Sequence, residues 1–343
     1  MIKMKTMNHI LPRLLLLPVV AALLAASCNK NVGEGTNVAL KRQFDAWRAI
    51  HYPDALEKNG VYIIDDTPGT GLEWNKNLSV TFLTYTMREL DGTVTYNTDE
   101  QWARQLGTWS QTGYYGPQVS LTGESASYAG LDAMLDGMRQ GGTRTAIIPS
   151  WMMTYNRYDS LDKYLETATD VTATIYTITF LDQTENLPDY EFRKLKEYAS
   201  ETWHVTDTLS SGAVFFKSFT DFDGNPREMP SDTTVYINYT GRRLADGQVF
   251  DTTVADTAKV YHIYNPSKTY APVAVAWADA PKEIKLNGNT VVDGFAHGLH
   301  AMHAGEKASF CFGYSLGYGS SGSGSMIPGY SALQFDIELV PQP

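Results

Sequence analysis

The sequence predicts an α+β protein of two successive domains, on three observations. Stretches with strict apolar alternation are interspersed with short stretches of helical spacing. The order of those stretches repeats once at an offset of about 150 residues, too long for a solenoid and suited to tandem domains. Finally, 343 residues with 43% hydrophobic and 19% charged content are enough for two ordinary packed cores.

Residues 1–27 read as a targeting segment outside the fold. Lys3, Lys5 and Arg13 make a basic start, and the apolar run from Leu14 to Leu24 contains Pro18. That run is shorter than the roughly 20 residues that span a bilayer. It ends in Ala25-Ala26-Ser27-Cys28, which resembles the bacterial lipobox, where Cys28 would become the acylated first residue. The resemblance implies a membrane anchor at Cys28 and a place in the bacterial cell envelope, on a periplasmic or outer-membrane face. An ordinary signal peptide ending beside a cysteine is the alternative. Without the segment, 24 basic residues stand against 38 acidic ones, and the net charge moves from −11 to −14. Such a balance argues against nucleic acid as a partner. Lipidation would also leave Cys311 unpaired, so no disulfide framework is expected. Cys311 lies between Phe310 and Phe312 with no basic neighbour, a setting that fits an inert strand cysteine better than a catalytic thiol.

Residues 28–38 are polar and read as a tether, and residues 39–186 as the first domain. Leu40, Phe44 and Trp47 recur at helical spacing before Pro53. Gly60 to Ile64 reads as a strand, followed by the turn signal Thr67-Pro68-Gly69-Thr70-Gly71. Val80 and Phe82 alternate into Tyr85, and Asp91-Gly92 marks a hairpin. A short helix over Gly130 to Met138 precedes strands at Thr145 to Ile148 and Val171 to Leu181.

The boundary falls at Glu185-Asn186-Leu187-Pro188, and the order then recurs over residues 187–343. A helical stretch from Tyr190 to Trp203 carries Phe192 and Leu195. Phe295, Leu299 and Met302 share one face of a short helix that Gly305 should end. Phe310 and Phe312 alternate with Ser309, Cys311 and Gly313, the pattern of a half-buried strand. A Gly/Ser loop from Gly317 to Ser325 leads to Met326-Ile327-Pro328-Gly329. Leu333, Phe335, Ile337 and Leu339 form the closing strand. Across the repeat, Tyr239 matches Tyr85, Asp246-Gly247 matches Asp91-Gly92, Gly294 matches Gly130 and Tyr318 matches Tyr155.

From Val291 to Leu339 the chain resembles the C-terminal half of an FKBP-type peptidyl-prolyl isomerase domain, with Phe295 where that family carries tryptophan. Upstream, Val235-Tyr236-Ile237-Asn238-Tyr239-Thr240-Gly241 and Asp246-Gly247-Gln248-Val249-Phe250-Asp251 resemble a second block of the same family. The first half resembles it in GVYIIDDTPGTG and GLDAMLDGMRQGGTRTAIIP. The resemblance implies two FKBP-like domains, each an antiparallel β-sheet curled around a short α-helix. It also implies catalysis of X-Pro isomerisation in exported, proline-containing polypeptides, without cofactor or metal. A non-catalytic peptide-binding or chaperone lipoprotein is the alternative.

Such catalysis must lower a rotational barrier of about 18–20 kcal/mol that arises from amide resonance. An apolar pocket that strips water from the carbonyl oxygen favours the twisted state, in which resonance is lost. Carried over by resemblance, Phe295 is the pocket floor, and Tyr239, Phe250, Val291, Ile327 and Phe335 are its walls. Tyr318 would donate its hydroxyl to one substrate carbonyl and the Val292 backbone N–H would bind another, while Asp251 orients Tyr239. The competing view is that these aromatics only fill a small core.

The first half departs from this pattern. Tyr96-Asn97 replaces Phe250-Asp251, Leu131 stands at the floor position, and Tyr155-Asn156 is followed by no Ile-Pro. A degenerate, non-catalytic copy is expected there. Both halves carry aromatic-rich insertions. Trp102, Trp109, Tyr114 and Tyr115 lie between Thr98 and Ser125, and Tyr261, Tyr264, Tyr270 and Trp277 between Thr252 and Thr290. They suit either a client-binding lip or extra core packing. His297, His300 and His303 are read as a solvated helix face rather than a metal site, since no carboxylate or cysteine joins them. The Gly-rich loop lacks Gly-Lys-Ser/Thr and is no phosphate loop.

Overall fold

The computed structural model describes residues 36–123, 127–167, 172–210, 212–230 and 233–343. Cys28, the segment 1–27 and nearly all of the tether lie outside them. In the first half, α1 (Thr36–His51) precedes β1 (Leu56–Lys58), β2 (Val61–Thr67), β3 (Val80–Arg88) and β4 (Val94–Asn97). Then come α2 (Glu100–Leu106), β5 (Gln118–Leu121), α3 (Ala129–Leu135), β6 (Thr143–Ile148), α4 (Leu161–Leu165) and β7 (Thr174–Thr184). The second half runs α5 (Leu187–Trp203), β8 (Val214–Ser218), β9 (Thr234–Arg243), β10 (Val249–Thr252) and α6 (Ala255–Val260). It ends with β11 (Val273–Ala276), β12 (Lys285–Leu286), β13 (Asn289–Thr290), α7 (Asp293–His300), β14 (Lys307–Phe312) and β15 (Leu333–Val340).

Two antiparallel sheets result. The neighbour order β2-β6-β7-β3 in one is matched by β8-β14-β15-β9 in the other, and β3 and β9 each pair with two further short strands at opposite ends. One face of each sheet holds the short helix. Leu131, Met134 and Leu135 of α3 pack on Val61, Ala146, Ile148 and Ile178. Phe295 and Leu299 of α7 pack on Val214, Phe310, Phe312 and Ile337. The mixed helix and antiparallel sheet architecture is therefore present, and each sheet also carries a long helix on its opposite face. Phe44 of α1 meets Ile147 and Ile175, and Leu195, Ala199 and Trp203 of α5 meet Phe215 and Cys311.

That second layer corrects one expectation. β14 is buried on both faces after Lys307, not half-buried, because Phe310 and Phe312 face α7 while Cys311 faces α5. Cys311 is fully buried and burial pushes its thiol up to about 12, the setting of a structural cysteine. α7 also stops at His300, before Gly305, and Met302 reaches the core through a turn in which its N–H donates to Leu299 O. Gly298 lets α7 approach the sheet, since a Cβ there would lie 2.4 Å from the Phe310 ring.

The histidines do not form a solvated face. His300 stacks on the buried Trp277, with rings 5.8 Å apart and 6° from parallel, and its Nε2 lies 2.8 Å from Asp279 O. His303 contacts Glu306 and Phe222, and all three histidines are half-buried. Among the described residues no three His, Cys, Asp or Glu side chains are grouped to hold a metal ion. Among those residues, too, no helix is long and apolar enough to cross a membrane.

At the junction, Asn186 caps α5 by accepting from Asp189 N, and Tyr190 stacks on Phe82 of β3 at 4.6 Å. At the next residue, the Glu191 carboxylate accepts the Tyr314 N–H at 3.0 and 3.1 Å. Gly313 makes room for it, since a Cβ there would sit 2.1 Å from a Glu191 oxygen. Burial pushes the Glu191 carboxyl up to about 7 against the partial relief of that hydrogen bond.

Candidate active site

In the second half, β9, β10, β15, the N-terminus of α7 and the loop before β15 converge on one aromatic cluster. β9 carries Tyr239 and pairs with β15 so that Tyr239 faces Ile337 and Gly241 faces Phe335. Phe295 and Phe335 meet edge to face at 4.9 Å and 82°. Tyr239 lies 6.2 Å from Phe295 and 6.5 Å from Phe335, and Phe250 lies 5.8 Å from Phe335. Gly241 is required beneath these rings, because a Cβ would come 2.7 Å from both Phe250 and Phe335. Phe295, Ile327 and Phe335 are buried, whereas Tyr239, Phe250, Val291 and Val292 are half-buried. Tyr318 is 38% exposed, so it stands at the mouth and not in the core.

Polar groups gather on one rim. The Tyr239 hydroxyl donates to Asp251 Oδ2 at 2.5 Å, and Thr252 N donates to Oδ1 at 2.9 Å. Lys268 Nζ donates to the same Oδ1 and to Thr252 O at 3.0 Å. Burial, and then the Asp251 hydrogen bond and charge, push the Tyr239 phenol well above its ordinary value. Burial and the Asp251 charge raise Tyr318 as well. Both hydroxyls are thus held as donors. The Val292 N–H, at the N-cap of α7, has no partner among the described residues. Tyr239, Phe250, Val291 and Val292 pack against the cluster that holds Phe295, Ile327 and Phe335, with Asp251 on the Tyr239 hydroxyl and Tyr318 near that carboxylate. Lys268 was missed, because a single lysine seventeen positions after Asp251, inside an irregular insertion, carries no pattern.

Residues 225–340 match the family model for FKBP-type peptidyl-prolyl cis-trans isomerase. FK506-binding protein 2 of Candida glabrata is 30% identical over 114 residues, covering 33% of this chain and 67% of that protein. The chain belongs to this family. The FKBP-type 22 kDa peptidyl-prolyl cis-trans isomerase of Escherichia coli is 32% identical over 106 residues, 31% of this chain and 39% of that one. The macrophage infectivity potentiator of Trypanosoma cruzi is 31% identical over 133 residues, 38% of this chain and 54% of that one. The chain thus spans about half the length of some of the curated relatives it matches. Among solved structures, FkpA from Escherichia coli aligns with a TM-score of 0.31 at 23% identity, over 45% of this chain and 58% of that one.

The FKBP-type match covers the second half, and the corresponding place in the first half is built differently. Tyr85 stacks on Tyr96 at 5.1 Å and on Tyr176 at 6.1 Å, and the Tyr128 hydroxyl donates to Tyr176 at 2.5 Å. A cavity of about 420 Å³ opens there, with Leu131 at its floor and Tyr155, 72% exposed, at its edge. Asn97 accepts the Asp99 N–H on its Oδ1 at 3.0 Å and, unlike Asp251, offers no carboxylate to the neighbouring phenol. The insertions divide between packing and surface. Trp277 is buried, whereas Trp102 and Tyr264 are nearly half exposed.

Proposed function

We propose that the second domain catalyses cis/trans isomerisation of X-Pro bonds in exported polypeptides. The first domain is a degenerate tandem copy without that activity, and Cys28 anchors the chain to a bacterial envelope membrane. The observation that carries the reading is the coexistence of a buried aromatic floor and walls with phenol donors at the rim. X-Pro rotation unaided takes tens to hundreds of seconds, so a modest barrier reduction is useful. A prolyl ring seated on Phe295, between Tyr239, Phe250, Ile327 and Phe335, loses water from its imide. Desolvation weakens the charge-separated resonance form and favours the twisted amide. Tyr318 and the Val292 N–H hold the flanking carbonyls, so that only the reacting bond turns. Asp251, fixed by Tyr239 and Lys268, directs the phenol.

No proton moves in this scheme, and both phenols are raised, so the full chain should accelerate isomerisation of a proline tetrapeptide at a rate constant across pH 6–8. A bell-shaped profile, or no acceleration, contradicts it. For the anchor, Cys28→Ala should shift the protein from the membrane fraction to a soluble or unprocessed form. Recovery of mature-length Cys28→Ala protein with membranes would remove that part of the reading.

A further inference from the structure

Arg243 ends β9, beside the Asp246-Gly247 hairpin, and is 1% exposed. A buried guanidinium is tolerated only when its five donors are paired. Asp246, in the same hairpin, takes two of them, Nε to Oδ1 at 3.0 Å and Nη2 to Oδ2 at 2.7 Å. Nη1 donates to Met326 O, immediately before the pocket wall Ile327. The remaining two go to the first half, with Nη1 3.3 Å from Thr112 O and Nη2 3.1 Å from Gly113 O. The guanidinium also lies over the Tyr114 ring at 5.3 Å, and that ring is held by its hydroxyl donating to Pro117 O at 2.9 Å.

We propose that Arg243 is a positioning residue through which the Thr112–Tyr114 loop of the first half braces the Met326-Ile327 wall of the isomerase pocket. Two of its five donors have acceptors only because the first half is present, and a third grips the backbone of the wall. Ile327 is otherwise tied locally, its N–H to Ser323 O at 3.2 Å and its C=O to Ser323 N at 2.7 Å. That small bridge is rooted in a Gly/Ser loop, whereas Phe295 and Phe335 sit on a helix and a central strand. The degenerate half thus has work to do without chemistry of its own. The inference rests on reading the second-half pocket as the isomerase site.

Full-length wild type, Tyr114→Ala, Arg243→Lys and Arg243→Met are compared by amide hydrogen exchange and by prolyl-peptide kinetics. Tyr114→Ala alters only the first half, and Arg243→Lys keeps the charge but loses the five-donor fork. Each variant should speed exchange at Ser323 and Ile327 roughly tenfold, about 1.4 kcal/mol, with β14 and β15 unchanged. KM should rise more than kcat falls, because the wall contacts bound proline in ground and transition states alike. Wild-type exchange at Ser323 and Ile327 in Tyr114→Ala overturns the brace. Equal loss of protection throughout β14 and β15 overturns it too, by showing a merely structural contact. If Arg243→Met does not fold, the other two variants still decide. Faster local exchange in a chain whose wild type has no isomerase activity would uphold the mechanical brace and locate the failure in the functional reading.

Discussion

Phe250→Ala should lower kcat/KM for prolyl isomerisation by about a hundredfold, or about 2.7 kcal/mol. The ring stands on β10, at the side of the sheet, and meets Phe335 edge to face at 5.8 Å. Its removal takes away one wall and lets water reach the imide oxygen, so two contributions add. Truncating a fully buried phenylalanine costs about 3–5 kcal/mol. Phe250 is half-buried, which places its loss lower and makes the effect on activity larger than that on folding. The check is steady-state kinetics beside a thermal melt. A change of less than about threefold in kcat/KM would leave the pocket without a catalytic role.

Glu191→Gln should stabilise the folded chain at pH 8 by on the order of 1–2 kcal/mol and by nothing at pH 4. The folded carboxyl is raised from 4.5 to about 7 by burial, so the fold holds this proton more tightly than the unfolded chain does. Stability from the protonated form is complete below 4.5 and is lost as pH rises through 7. Glutamine keeps an acceptor for the Tyr314 N–H and carries no charge into the cleft beside α5. The difference between the two urea midpoints, followed from pH 4 to 8, isolates this group from the other carboxylates. A constant difference, or one that shrinks with rising pH, contradicts the assignment. Since the penalty acts on unfolding and not on the aromatic pocket, it leaves the isomerisation rate of folded protein flat.

Much of this architecture is legible in apolar spacing. Leu333, Phe335, Ile337 and Leu339 alternate because the pleat sends them all to the face of β15 that packs on α7, and all four are buried. The candidate site residues Tyr239, Phe250-Asp251, Phe295, Tyr318 and Phe335 could be named because two ordered blocks of the chain resemble the FKBP-type family, not because spacing alone marks them. What the spacing hid depends on partners distant in sequence. Cys311 looks like the exposed side of β14 until α5, more than a hundred residues upstream, covers it, and Ser309 is buried with its hydroxyl donating to Asp336 Oδ1. His300 looks solvated until Trp277, inside an irregular insertion, stacks on it. Arg243 looks like a surface charge until carbonyls 130 residues upstream complete its donors. Local pattern encodes which side of an element is apolar, and the contacts that bury a polar group are set by the fold.

The most direct test of where catalysis resides uses a matched pair of mouth residues, each on the surface so that neither substitution disturbs a core. Full-length Tyr155→Ala and Tyr318→Ala are assayed on the same proline tetrapeptide. Tyr155→Ala should run at the wild-type rate, and Tyr318→Ala should lose roughly tenfold in kcat/KM, the equivalent of about 1.4 kcal/mol for a lost hydroxyl and ring. Activity that falls with Tyr155→Ala and survives Tyr318→Ala would place the isomerase in the first half and contradict the account.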